Sequence, residues 1–196
     1  RVVSSKAPHG AVAGFQVVEY LRAFLFGRVG WNRLGGNLII SGAFGLFRRD
    51  AMIASGGYAA DSVGEDMELI MRLRRRGYER DERRRVEFIP DPVAWTEVPE
   101  SLSVLGRQRD RWHRGLADVL WRHKRVLLNP RYGALGLVVF PYFFFVELLA
   151  PVVELTGVIG LFVSLGIGAV NAPFAGLFFL ASYGYGLVLT VFTLVM

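Results

Sequence analysis

Cysteine is absent from all 196 residues, which excludes disulfides and thiolate metal sites. Lysine is scarce, with only Lys6 and Lys124, so the basic charge is almost entirely arginine. Basic residues then stop altogether. Residues 134–196 hold no lysine or arginine, and their only charged side chains are Glu147 and Glu154. HExxH, P-loop, GxSxG and Rossmann strings are missing as well, so the chemistries those motifs mark find no support. His9, His113 and His123 lack metal-ligand spacing and read as surface residues. An arginine cluster lies between 72 and 85. Glu79, Asp81 and Glu82 interrupt it, which points to a solvated surface and not to a nucleic-acid footprint.

What is present is a split chain. Residues 1–133 carry 23 basic and 15 acidic residues, a net +8, ahead of the nearly uncharged tail. Hydrophobic residues make up 53% of the whole and the mean hydropathy is +0.36. A cationic unit beside an apolar one suits a bilayer surface or anionic substrates such as nucleotides. Arg1 is not an initiator Met, and the chain stops at Met196 inside an apolar run, so it reads as a fragment of a longer protein.

Periodicity sketches the elements. Apolar positions 17, 18, 21, 24 and 25 give helical spacing over Gln16 to Arg28. Leu38 to Phe47, LIISGAFGLF, reads as a buried strand with a tight turn. Arg48 to Ser55 predicts a short helix stopped by Gly56-Gly57. Glu65 to Arg76 predicts a helix with acids first, arginines last and Gly77 as its C-cap. Val86 to Ile89 reads as a short strand. Ser101 or Ser103 can cap a helix running to Arg125, with Gly106 and Gly115 as weak points and Asn129-Pro130 as the break.

The tail is too long for one straight span. Ala134 to Gly168 is 35 mostly apolar residues, roughly 52 Å as a single helix against a hydrocarbon core of about 30 Å. Pro141 and Pro151 offer the break. The expected layout is a first domain over 1–98 and an amphipathic interfacial helix region over 99–133. A membrane region follows over 134–196, with a re-entrant or interfacial piece at 134–147 and spans near 148–168 and 174–196. The charge asymmetry puts residues 1–133 in the cytoplasm of a multi-pass protein of the inner or plasma membrane.

Three strings carry chemistry, each with a plainer alternative. Glu65 and Asp66 open a helix after Gly64. A carboxylate there serves as a general base if it faces a cleft, or merely favours the helix dipole. Gln108, Arg111 and Trp112 fall at i, i+3 and i+4 on one helix face, with Arg109 between them. Arginine recognises phosphate bidentately and tryptophan offers a flat apolar surface, yet the same face would suit an amphipathic helix lying on a membrane. Ser41-Gly42-Ala43 allows a ligand close to backbone, or simply close packing. Glu147 and Glu154 share a helical face within the apolar tail. A carboxylate there is costly unless used, and Glu147 fits a position near the headgroups.

Read in order, these strings resemble the membrane-embedded family 2 glycosyltransferases, the group of cellulose, hyaluronan and poly-N-acetylglucosamine synthases. The matching features are Ile40-Ser41-Gly42-Ala43-Phe44-Gly45-Leu46-Phe47-Arg48-Arg49, then Gly64-Glu65-Asp66, then Gln108-Arg109-Asp110-Arg111-Trp112, then the apolar tail. The resemblance implies an α/β GT-A-like domain, partial here, followed by interfacial and transmembrane helices. It implies inverting transfer of a sugar from a nucleotide-sugar donor to a glycan or other hydroxyl acceptor. Asp66 would be the general base, supported by Glu65. Gln108, Arg109 and Arg111 would hold the diphosphate, and Trp112, Ser41 and Gly42 would line the acceptor site. A divalent metal, Mg or Mn, is implied for the full enzyme, with its DxD ligands upstream of Arg1; the fragment alone would be inactive. Gly64 departs from the family's threonine. The rival reading is a membrane-anchored basic scaffold or lipid-surface binding module without catalysis. A transporter using Glu147 and Glu154 would need more spans than the two expected.

Overall fold

The computed structural model describes residues 2–4, 11–40, 42, 44–82, 85–91 and 94–195. Ser41, Ala43 and His9 lie outside the described residues. The described chain is mostly helical. Its one sheet there has two strands, β1 (Val2–Ser4) and β2 (Ala94–Thr96), paired in parallel with Val3 opposite Trp95. Helix α1 (Ala11–Glu19) runs into a π-helical stretch, Tyr20–Gly27, and on into α2 (Arg28–Arg33). After α3 (Arg49–Ser55) and α4 (Glu65–Glu79) come α5 (Leu102–Arg122), two 3₁₀ turns and two further π-helical stretches, Leu135–Val139 and Tyr142–Leu148. Helices α6 (Ala150–Gly166) and α7 (Ala172–Val195) complete the chain.

Local chemistry explains several of these boundaries. Ser101 caps α5, its hydroxyl accepting from the Val104 N–H at 3.4 Å. Gly56 and Gly57 end α3 at φ 87° and 71°, angles that favour glycine. Asn129 receives the Arg131 N–H at 3.0 Å and starts the turn at Pro130.

Other expectations are corrected. The stretch from Leu38 is not a strand where it is described. Leu38 is fully buried, but Arg74 binds the carbonyl oxygens of Asn37 (3.1 Å) and Gly35, replacing a ladder partner. Val86 to Ile89 is likewise irregular, with the Phe88 N–H bonded to Asn32 Oδ1 at 2.9 Å. Gly77 does not end α4, which continues to Glu79. Tyr78 packs edge-on against Tyr132 (6.2 Å between centroids) and against Gly133, so tertiary contact outweighs glycine's poor helix propensity.

The core forms where α4, α5 and the 135–143 part of the tail meet. Met67, Ile70 and Met71 of α4 pack with Leu116, Val119 and Leu120 of α5 and with Leu135, Val139, Phe140 and Phe143. The 135–148 segment is therefore two-faced. Those four residues are buried, while Leu137, Val138, Phe145 and Val146 are exposed. Next to it, every residue of α6 from Pro151 to Gly160 is exposed.

A buried polar cluster ties the helices together. Glu68, on the inner face of α4, pairs with Arg72 at 2.7 Å and with His123 at 3.3 Å. Arg72 also donates to the carbonyls of Ser55 and Gly57, both at 2.6 Å, at the C-terminus of α3. Arg76 donates to Ala54 at 3.0 Å. Guanidinium groups are thus used on the orphan carbonyls of a helix end. The reading of this arginine cluster as solvated surface fails at 72–76, where all four arginines are half-buried. His123 is no surface residue either, at 3% exposure. Burial and the adjacent Arg75 hold its pKa below the ordinary value, against the pull of Glu68.

Candidate active site

Gly64, Glu65 and Asp66 stand where α4 begins, and that beginning is pinned to α5. A Cβ on Gly64 would lie 3.2 Å from Cα of Gly115, and the reverse substitution meets the same limit. The two backbones cross so closely that a side chain at either position would have to push the other helix back, which favours glycine at both. Ser62 donates to Asp118 at 2.8 Å, and Arg122 reaches both the Asp61 carboxylate (2.9 Å) and its carbonyl (2.8 Å). The loop before Glu65 is thereby held along one face of α5. Gly64, which departs from the family's threonine, has its physical reason here. Replacing Gly115 with valine should force the helices apart and cost about 1–3 kcal/mol, as overpacking does. Chemical denaturation of the variant reads this directly.

Asp66 is half-buried in that corner. Its Oδ1 accepts the Met67 N–H at 2.7 Å, and its Oδ2 would sit 3.0 Å from a Cβ placed on Gly42. Gly42 and Asp66, 24 positions apart, are therefore neighbours, and a side chain at 42 would press on the carboxylate. Burial raises the Asp66 pKa. The Met67 hydrogen bond lowers it, the charge of Glu65 raises it, and Arg28 lowers it. Arg28 is itself largely desolvated, which brings its pKa down to about 10, with the Asp66 charge opposing that fall. Glu65 is exposed.

Helix α5 presents the second string. Gln108, Trp112 and Gly115 are spaced i, i+4 and i+7, so the face that meets Gly64 continues to Trp112 and Gln108. Trp112 is one turn, about 4.5 Å of rise, from the Gly64 crossing. Gln108 is half-buried, and its Oε1 is buried without a hydrogen-bond partner. Arg111 is exposed. Arg109 is placed differently from what its motif suggests. It binds Glu19 and also donates to Gln16 Oε1 at 3.1 Å, both on α1, while its guanidinium lies 5.0 Å from the centroid of Trp112. Asp110 turns away and pairs with Arg114 at 2.8 Å.

The structure thus makes Gly42 and Asp66 neighbours, sets the start of α4 against the α5 face that continues to Trp112 and Gln108, and leaves Arg109 committed to α1. Sequence reasoning missed Arg28, Gln16, Glu19 and Tyr20. The signal was available for three of them, because Gln16, Glu19 and Tyr20 fall at i, i+3 and i+4 opposite the apolar stripe. Among the described residues, no group of three His, Asp or Glu side chains could hold a metal ion. The Mg or Mn that the resemblance implies finds no ligand set among them.

The model of the glycosyl transferase family group 2 matches residues 7–192. The chain belongs to this family. Among curated proteins it is similar to the poly-beta-1,6-N-acetyl-D-glucosamine synthase of Staphylococcus aureus (strain COL), 37% identical over 83 residues. The protein of the same name from Staphylococcus epidermidis is 34% identical over 83 residues. Each match covers 42% of this chain and 19% of the relative, about a fifth of the relative's length. No solved structure matches the chain significantly.

Proposed function

We propose that this chain carries the acceptor side of an inverting transferase that moves a sugar from a nucleotide-sugar donor to a glycan hydroxyl. The observation that supports this reading is that Asp66 lies against Gly42 at the start of α4, where Gly64 crosses Gly115 one turn from Trp112 on α5. Asp66 takes the acceptor proton as that oxygen attacks the anomeric carbon. The C–O bond to the nucleotide breaks, and the diphosphate leaves with the electron pair. Arg111, exposed and bound to no other described side chain, meets the diphosphate. Gln108 lies on the same α5 face, and Trp112 lies against the acceptor ring. Glu65 supports Asp66 by raising its basicity. The names of the relatives suggest N-acetylglucosamine as the sugar and a β-1,6-linked glycan as the acceptor.

Removing Arg111 should separate binding from chemistry. Arg111→Ala loses a charge-assisted phosphate contact worth about 1.5–3 kcal/mol, so donor Kd should rise roughly 10- to 100-fold. Titration calorimetry with the nucleoside diphosphate measures it, and an unchanged Kd would remove Arg111 from the donor site. A pH profile tests the base. Asp66 must be ionised to accept a proton, and its pKa lies above the ordinary carboxylate value. The acidic limb of kcat/KM should therefore fall above about pH 4. Glu65→Gln removes a charge that raises that pKa, so it should move the limb down.

The membrane reading rests on the tail. Among the described residues no single helix is long and apolar enough to cross a membrane, but the pair Leu135–Leu148 and Ala150–Gly166, bent by 42°, meets the test together. Ala172–Val188 is a shorter apolar helix. The exposed face of α6 and the two-faced 135–148 segment suit a chain that enters a bilayer beneath a cytoplasmic catalytic unit. A topology reporter fused after Asn171 should register on the outer side; a cytoplasmic signal there would refute the two-span layout.

A further inference from the structure

One cluster beside the site is unused by the mechanism above. Helix α1 ends at Glu19, and Gln16 and Glu19 of its last turn share a face with Tyr20, the first residue of the π-helical stretch. That face is polar on an otherwise apolar helix, and it is turned to α5. Gln16 is buried at 4% exposure and donates from Nε2 to Glu19 at 2.9 Å. Both side chains receive Arg109. The Gln108 side chain hydrogen-bonds the hydroxyl of Tyr20. The guanidinium that Glu19 fixes lies over the Trp112 ring at 5.0 Å. Gln16, Glu19 and Tyr20 thus hold two adjacent α5 side chains directly and a third, Trp112, through Arg109. The π-helical stretch starts at Tyr20, and such widened turns tend to occur where a helix must re-aim its side chains for a function.

The arrangement is too specific for a surface ion pair. An exposed salt bridge contributes about 0–1 kcal/mol and fixes little. Here the carboxylate is half-buried, shares its arginine with a buried amide, and orients an aromatic ring by cation–π contact. Arg109, which the family motif suggests for the diphosphate, has its Nη2 committed to Gln16 and Glu19.

We propose that Glu19 is a positioning residue for sugar transfer, acting through Arg109 to hold the Trp112 ring in the plane that receives the acceptor. Gln16 and Tyr20 complete the brace, Tyr20 by holding Gln108. The inference rests on the reading of Trp112 as an acceptor contact. It makes the end of α1 a determinant of acceptor affinity, although α1 touches no substrate.

The test is steady-state kinetics on the full natural protein with a short glycan acceptor, alongside donor binding by calorimetry. Glu19→Ala should raise the acceptor KM about 3- to 10-fold, corresponding to about 0.7–1.4 kcal/mol, and leave donor Kd unchanged. The exchange Glu19→Arg with Arg109→Glu restores the pair but moves the cation off Trp112, so it should restore stability without restoring acceptor KM. Glu19→Gln keeps a hydrogen bond and should fall between wild type and Glu19→Ala. Trp112→Ala separates the two levels of the claim. If it raises acceptor KM while Glu19→Ala does not, the brace is refuted and the acceptor site stands. If Trp112→Ala leaves acceptor KM unchanged, the acceptor role of Trp112 is itself wrong. A loss in Glu19→Ala that falls on donor Kd instead would return Arg109 to the diphosphate and overturn the proposal.

Discussion

Asp66→Asn should slow sugar transfer by about 10²–10⁴-fold, or roughly 3–5 kcal/mol in the barrier, while donor binding survives. The amide matches the carboxylate in shape and can occupy the same corner beside Gly42. It cannot accept a proton from the attacking hydroxyl, so the loss falls on the chemical step. The fold should tolerate the change, because the Met67 N–H donates to an oxygen that asparagine retains. Rapid-quench measurement of a single turnover with saturating donor separates the steps. Near-normal turnover would mean that Glu65 and Asp66 do no more than favour the dipole at the start of α4.

Glu68→Ala should be the most damaging change to stability outside the site. The carboxylate is buried and is the anion shared by Arg72 and His123. Without it, Arg72 and His123 lose their shared carboxylate, and Glu79 remains only beside Arg75. Breaking a buried pair by removing one partner costs about 3–5 kcal/mol. Arg72 keeps its two carbonyl partners at Ser55 and Gly57, so the lower end, about 3 kcal/mol, is expected. For a chain of this size that lowers Tm by roughly 6–12 °C. The wild type should also lose stability on the acid side. His123 has a depressed pKa in the folded state, so the unfolded chain takes up the proton more readily. Stability is intact above the unfolded value of about 6.5 and is lost as pH falls below it. Thermal melts of wild type, Glu68→Ala and Glu68→Gln between pH 5 and 8 measure both effects. A Glu68→Ala melt within about 2 °C of wild type would show the cluster to be incidental.

The sequence made the site more legible than the fold around it. Asp66 and the Gln108–Trp112 string carry chemistry in their residue types, and helix spacing alone placed Gln108, Arg111 and Trp112 on one face. The cap at Ser101 and the stop at Gly56-Gly57 were likewise local, set by a hydroxyl and by positive φ. What local reading missed was decided by partners far away in the chain. Leu38 looked like a strand because it is apolar and buried, but Arg74, 36 positions on, takes the carbonyls of Gly35 and Asn37 just before it. Gly77 looked like a stop, but Tyr132 and Gly133 hold the next turn in place. His123 and Arg72 looked like surface until Glu68 drew them inward. Gly115 read as a weakness of α5 and is instead the point where α4 crosses it. Arg109 shows the same limit within the site. Its motif points to phosphate, while Gln16 and Glu19, some 90 positions earlier, hold it on α1.

That Asp66 and the Trp112 face form one acceptor cleft is the central claim, and a structure of the full natural protein with a glycan acceptor bound tests it most directly. The attacking hydroxyl should lie within about 2.6–3.2 Å of an Asp66 carboxylate oxygen, with the acceptor ring against Trp112. An acceptor seated on the opposite side of α4, with Asp66 facing only protein, would contradict it.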